Sequence, residues 1–163
     1  MSLKEFSKNG IGTVPINYPG QFAITKNAEN NIPFGRGVKV GMNSGVRRFS
    51  GTTGEFLGVA MASDTASGIS AENFPYRYED GDVCAVCTQG YIMVDVAEAV
   101  SPDDPVRIVH TTAVNFSEGA FCTTANSGHT GVLSGARFAG ETSGAGKVAL
   151  FLSSDPKKTV TND

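Results

Sequence analysis

The sequence predicts an all-β fold, a small β-barrel or β-sandwich of roughly eight to ten short strands with an extended N-terminal arm. Three observations predict it. Apolar and polar residues alternate in short runs, most clearly from Val83 to Val96. Turn residues interrupt these runs at the ~8–12 residue spacing of sandwiches and barrels. Twenty glycines and seven prolines in 163 residues leave no convincing stretch of normal helical length.

The chain is long enough for a core. A single domain of this size buries roughly 70% of the surface its unfolded chain exposes. With 40% apolar and 18% charged residues it reads as globular, and no metal or disulfide staple is needed. No apolar run approaches the ~18 residues of a membrane span. The opening stretch, Met1 to Gly12, lacks the apolar segment of a signal peptide, so synthesis in a cytoplasm is expected. Three cysteines suit that setting better than a disulfide framework.

Residues 1–25 read as an extended arm. Gly10, Gly12, Pro15, Pro19 and Gly20 break the pattern, and the apolar residues keep neither period 2 nor period 3.6. An arm this apolar is expected to lie on something. A β domain follows over 26–153. Val38 and Val40 flank Lys39 as a short strand, Asn43-Ser44-Gly45 is a turn, and Val46 to Phe49 is a return strand. Glu55 to Ala62 is a further strand, in which Gly58 marks a bulge or a close backbone approach. Residues 63–75 read as a polar loop.

Val83–Thr88 and Tyr91–Val96 read as a hairpin about Gln89-Gly90. That register gathers Val83, Ala85, Cys87, Ile92, Val94 and Val96 on one apolar face. Residues 96–100 allow a helical turn that Pro102 stops. Val106 to Val109 and Gly119 to Thr123 read as strands. Val132 to Ala139 and Lys147 to Leu152 form a last hairpin. The polar tail, 154–163, is expected to fray.

Charge is uneven. Residues 1–50 hold seven basic and two acidic side chains, +5, and residues 51–163 six and fourteen, −8. Solvated loops account for this, and so does a basic front end that docks on an acidic neighbour. A nucleic-acid surface is not indicated, because no dense Lys/Arg stripe is interleaved with aromatics.

The candidate chemistry does not assemble. Cys84 and Cys87 form a CxxC without a second pair, and His110 and His129 stand apart, so four zinc ligands are not at hand. On a strand the two cysteines point to opposite faces, with Cα atoms about 10 Å apart, beyond the ~7 Å reach of a disulfide. They read as packing residues, as does Cys122. Glu79-Asp80-Gly81-Asp82 lacks the alternate ligands of a calcium loop, and Asp103-Asp104-Pro105 reads as a turn. Gly144 to Lys147 has neither the spacing nor the Ser/Thr of a phosphate loop. No Gly-x-Ser-x-Gly is present. No catalytic residue, cofactor or small-molecule substrate is expected.

The order of elements resembles the capsid cement, or head decoration, proteins of tailed bacteriophages. The likeness is carried by GVKVGMNSGVRRF (37–49), EFLGVAMASDTASG (55–68), YEDGDVCAVCTQGYIMVDV (78–96), SPDDPVRIV (101–109), GAF (119–121) and VLSGARFAGETSGAGKVALFL (132–152). Pro102 to Val106 departs from the Gly that often opens that strand in the family.

The resemblance implies a β-rich homotrimer on the outer surface of a phage head, bridging major capsid protein subunits, with no membrane or nucleic-acid partner. It implies that the arm contributes to the clamp, through Lys4, Phe6, Lys8, Ile11, Val14, Ile16, Tyr18 and Phe22. The other readings of the sequence are a tail or baseplate β-domain and a cellular carbohydrate- or ligand-binding β-sandwich. The last is disfavoured by the absence of Trp and by only four Tyr.

Overall fold

A computed structural model describes residues 10–52, 55–70, 73–113 and 116–163. Among them the fold is all-β, as expected. The strands are β1 (Phe22–Asn27), β2 (Ile32–Pro33), β3 (Gly37–Val40), β4 (Val46–Arg48), β5 (Phe56–Ala60), β6 (Gly68–Ser70) and β7 (Asn73–Tyr78). They continue with β8 (Val83–Val96), β9 (Arg107–Val109), β10 (Phe121–Cys122), β11 (Thr130–Leu133), β12 (Ala136–Phe138), β13 (Gly146–Leu152) and β14 (Val160–Asn162). Fourteen strands exceed the eight to ten expected, because several runs are cut into two- and three-residue pieces. Eleven strands form one large sheet, and β2, β7 and β6 form a small one.

The hairpin expected at Gln89-Gly90 is not formed. Val83–Val96 is one continuous strand of 14 residues. Its first part pairs antiparallel with β1, from Asn27 opposite Val83 to Ala23 opposite Cys87. Its second part pairs with β13, from Leu152 opposite Gly90 to Gly146 opposite Val96. Strand β5 joins at Val86 and Cys87. Alternation with period 2 is the same for a hairpin and for a strand that runs on. What decides here is that each half finds its partner elsewhere in the chain. Gly90 takes φ 108°, which glycine adopts freely, so the backbone bends without reversing.

The long strand serves two cores. Cys84 and Val86 pack with Ile32, Phe34, Val38 and Tyr78. Cys87, Ile92, Val94 and Val96 pack with Val59, Ile108, Phe121, Phe138 and Leu150. The expected common face therefore holds only in part. Val83 is exposed and Ala85 half-buried.

Other elements follow the sequence closely. β3 and β4 form the expected hairpin, Val40 opposite Val46. Gly58 sits so close to β8 that a Cβ would come within 2.2 Å of the Cys87 carbonyl, which is the close approach anticipated. β12 and β13 form the last hairpin. Residues 63–75 do not remain a loop throughout, since they contribute β6 and the start of β7.

Both ends of the β domain need correction. β1 begins at Phe22, inside the span read as arm, crosses its end at residue 25 and is a member of the sheet. The expected fraying tail carries β14, which pairs with β11. Its last residue, Asp163, accepts from Arg107 Nε at 3.0 Å and from Thr130 Oγ1 at 2.6 Å. Lys158 is buried and donates from Nζ to the carbonyls of Thr88 and Asp155. Polar composition alone misses the bonds to Arg107, Thr130 and Thr88 because those partners lie far away in sequence.

Candidate docking surface

The described part of the arm lies on the molecule's own body. Gly12 N–H donates to the Met93 carbonyl at 2.7 Å, and Met93 N–H donates back to the Thr13 carbonyl at 2.9 Å. Ala62 N–H donates to the Gly12 carbonyl at 2.8 Å. Gly12 has φ 79°, and a Cβ there would meet the Ala62 nitrogen at 2.7 Å, so only glycine fits between β8 and the end of β5. Farther on, Tyr18 stacks edge-on against Tyr91 and Phe151, with ring centroids 5.4 and 5.8 Å away. Arg137 covers the Phe151 ring at 4.7 Å.

Gln21 completes the attachment. Its Oε1 accepts from Tyr91 N–H at 2.9 Å and its Nε2 donates to the Tyr91 carbonyl at 3.1 Å. The same nitrogen donates to Cys87 Sγ at 3.2 Å. The carboxamide thus imitates a strand partner where β8 changes neighbours. Gly90 leaves it room, for a Cβ there would lie 2.1 Å from Gln21 Oε1.

This segment holds five of the eight residues named for contact. Ile11 is half-buried against the core of Ile32 and Val38, and Tyr18 is half-buried in the aromatic cluster. Both anchor the segment to its own chain. Val14, Ile16 and Phe22 face solvent, Ile16 at 50% and Phe22 at 61% exposure. Lys4, Phe6 and Lys8 lie outside the described residues. Sequence reasoning missed Gln21, whose only signal is a lone polar side chain near a glycine distant in sequence. It also missed Met42, which at 84% is the most exposed of the large apolar residues described.

The charge imbalance is partly internal. Arg36 pairs with Asp95 at 3.3 Å and Arg48 with Glu118 at 3.5 Å, basic front end to acidic remainder within one chain. Carboxylates that look like candidate sites act on the backbone instead. Glu98 accepts from the N–H groups of Thr123 and Thr124. Asp82 accepts from those of Ser67 and Glu79.

Cys84 and Cys87 sit in different cores as free thiols. Burial pushes Cys84 up to about 12, Cys87 to about 11 and Cys122 to about 12. Thiols held so far above neutrality are not nucleophiles. Among the described residues no group of three His, Cys, Asp or Glu converges as a metal site. Three surface clefts of about 240, 270 and 260 Å³ fall below the ~300–1,000 Å³ of ligand pockets.

A β scaffold that fastens its own N-terminal segment, and uses it to hold apolar side chains out to solvent, defines a structural protein built for contact. Comparison with known proteins gives it a place. The chain matches the family described as structural cement protein (E217 gp24/Pam3 gp6) over residues 7–152, and it belongs to that family. It is a viral capsid structural protein. Among solved structures it resembles a chain of "The capsid of Myoviridae Phage XM1", with TM-score 0.68 and 20% identity over 88% of this chain and 89% of that one, a likeness of fold. A second is "The crystal structure of head fiber gp8.5 N base in bacteriophage phi29", with TM-score 0.44 and 13% identity over 85% and 98%, too low to carry an argument. No curated protein matches the chain.

Proposed function

We propose that the protein decorates the outer surface of a phage head, where it bridges neighbouring major capsid protein subunits as a homotrimer and braces the shell without catalysing a reaction. Membership of the structural cement family supports the capsid partner. The observation that carries the contact is the clamped segment 10–22, which packs the half-buried Ile11 and Tyr18 against its own chain and turns Val14, Ile16 and Phe22 outward. Exposed apolar side chains on a fixed backbone bind at low entropic cost. A ligand that binds only the assembled shell stabilises it by mass action, and repeated sites on a symmetric lattice multiply the effect.

The test is co-sedimentation with cognate heads that lack the protein, followed by cryo-EM of the decorated particle. Saturable binding and density on the outer surface at subunit junctions are expected. No binding to expanded or unexpanded heads rules the reading out.

A further inference from the structure

We propose that the outer edge of β1 is a strand-addition site, which takes an extended segment of a capsid subunit as one more strand of the large sheet. This rests on the decoration reading above and names the chemistry that holds the partner. The pairing of β8 fixes which groups of β1 are available. Met61 N–H donates to the Ala85 carbonyl, and the Cys87 carbonyl lies against Gly58, so Ala85 and Cys87 turn their main-chain groups toward β5. Cys84 and Val86 then turn theirs toward β1, where their register partners are Lys26 and Ile24. The alternate residues, Ala23 and Thr25, direct N–H and C=O away from β8.

Among the described residues no strand covers those groups. β1 pairs with β8 alone, and Ala23, Thr25, Lys26 and Asn27 are exposed. The strand that follows it along β8, β13, carries β12 on its outer side. An open edge is a template for another chain, and proteins guard such edges with proline, charge or cover. From Ala23 to Asn27 there is no proline and one charge, Lys26. A row of unpaired N–H and C=O groups specifies its own partner, an extended backbone that returns the same bonds.

Self-pairing of β1 is blocked. Beyond Thr25 the edge is closed, because Val46 bridges Ala28 in parallel and accepts from Glu29 N–H at 2.8 Å. The Asn27 carbonyl lies so close to Gly45 that a Cβ there would come within 2.4 Å. The turn leading to Val46 is held in place by the Glu29 carboxylate, which accepts from the N–H groups of Met42 and Asn43, each at 2.7 Å, and of Gly45 at 3.0 Å. Pairing β1 with its own copy about Thr25 sets Asn27 of each opposite Ala23 of the other. The turn before Val46 in each copy then takes the place of Phe22 in the other. The strand that fits has another sequence, enters from the Phe22 end and stops or turns before Gly45. It bonds four main-chain groups, two at Ala23 and two at Thr25. On a phage head the capsid subunit beneath segment 10–22 supplies it, since Phe22, 61% exposed, joins that segment to the open end of the edge.

Cognate heads lacking the protein are titrated with the wild-type chain and with Thr25→Pro, Ala23→Pro and Thr25→Val. Each proline removes an outward N–H and sets its ring where the added strand would lie, so head binding should weaken by about tenfold or more. Thr25→Val keeps the backbone and should bind as the wild type does. Amide exchange, read by mass spectrometry, should be fast at Ala23 and Thr25 in the free protein and about tenfold slower or more on heads. The Ile24 and Lys26 amides, bonded to β8, should be slow in both. Should the proline variants misfold, exchange in the wild type decides. Wild-type affinity in folded Thr25→Pro, or equally fast exchange at Ala23 and Thr25 on heads, overturns this inference and leaves the decoration reading standing. No binding by the wild type overturns both. Slow exchange at Ala23 and Thr25 already in the free protein assigns the edge to a second copy of this chain, which also overturns it.

Discussion

The side-chain amide of Gln21 makes both main-chain hydrogen bonds of Tyr91, its Oε1 to the N–H at 2.9 Å and its Nε2 to the carbonyl at 3.1 Å. Tyr91 lies just past Gly90, where β8 bends and its pairing with β1 gives way to pairing with β13. One side chain therefore fastens the N-terminal segment and satisfies the backbone of the longest strand.

Gln21→Ala should leave two part-buried backbone groups without their partner. The cost expected is about 1–3 kcal/mol, read as a lower urea midpoint with unchanged slope. Faster hydrogen exchange at the Tyr91 amide would place the loss at this site. Gly90→Ala should cost more, since it combines a φ of 108° with a collision against Gln21.

Tyr18→Ala removes two edge-on ring contacts, each worth about 0.5–1.5 kcal/mol beyond its burial. Limited proteolysis within residues 13–21 should speed up while the β domain stays intact. Head binding should fall even though Tyr18 is not among the solvent-facing residues, because the segment loses its fixed shape.

The Met42 turn should loosen in acid. Glu29 is held below its ordinary 4.5. Desolvation pushes it up, but the N–H groups of Asn43, Gly45 and Met42, with Arg47 nearby, outweigh that. A depressed folded pKa means the stabilisation is present above 4.5 and is lost as pH falls through the lower folded value. Proton exchange at the Met42, Asn43 and Gly45 amides should therefore accelerate relative to the global rate only below that range. Glu29→Gln should show the loosened turn at neutral pH.

The thiols should be silent in the native state. With burial holding Cys84, Cys87 and Cys122 at about 12, 11 and 12, a thiol reagent at pH 8 should label none until the protein unfolds, and then all three. Rapid labelling of Cys84 or Cys87 in the folded chain would contradict their place in the two cores.

The sequence by itself determined the all-β class, the β3–β4 and β12–β13 hairpins, the close approach at Gly58 and the separation of Cys84 from Cys87. Each of these follows from local alternation or from a residue type whose geometry narrows the readings to one or two. It also pointed to Val14, Ile16 and Phe22 as apolar residues in want of a partner. Only the tertiary structure decided that Val83–Val96 runs on instead of turning back, because pairing with β1 and β13 is non-local and period 2 is blind to it. Only the tertiary structure fastened the arm through Gly12 and Gln21, drew the tail into β14, and left Met42 at the tip of a rigid turn. These outcomes depend on which backbone groups meet across many residues of chain, and no local pattern records that.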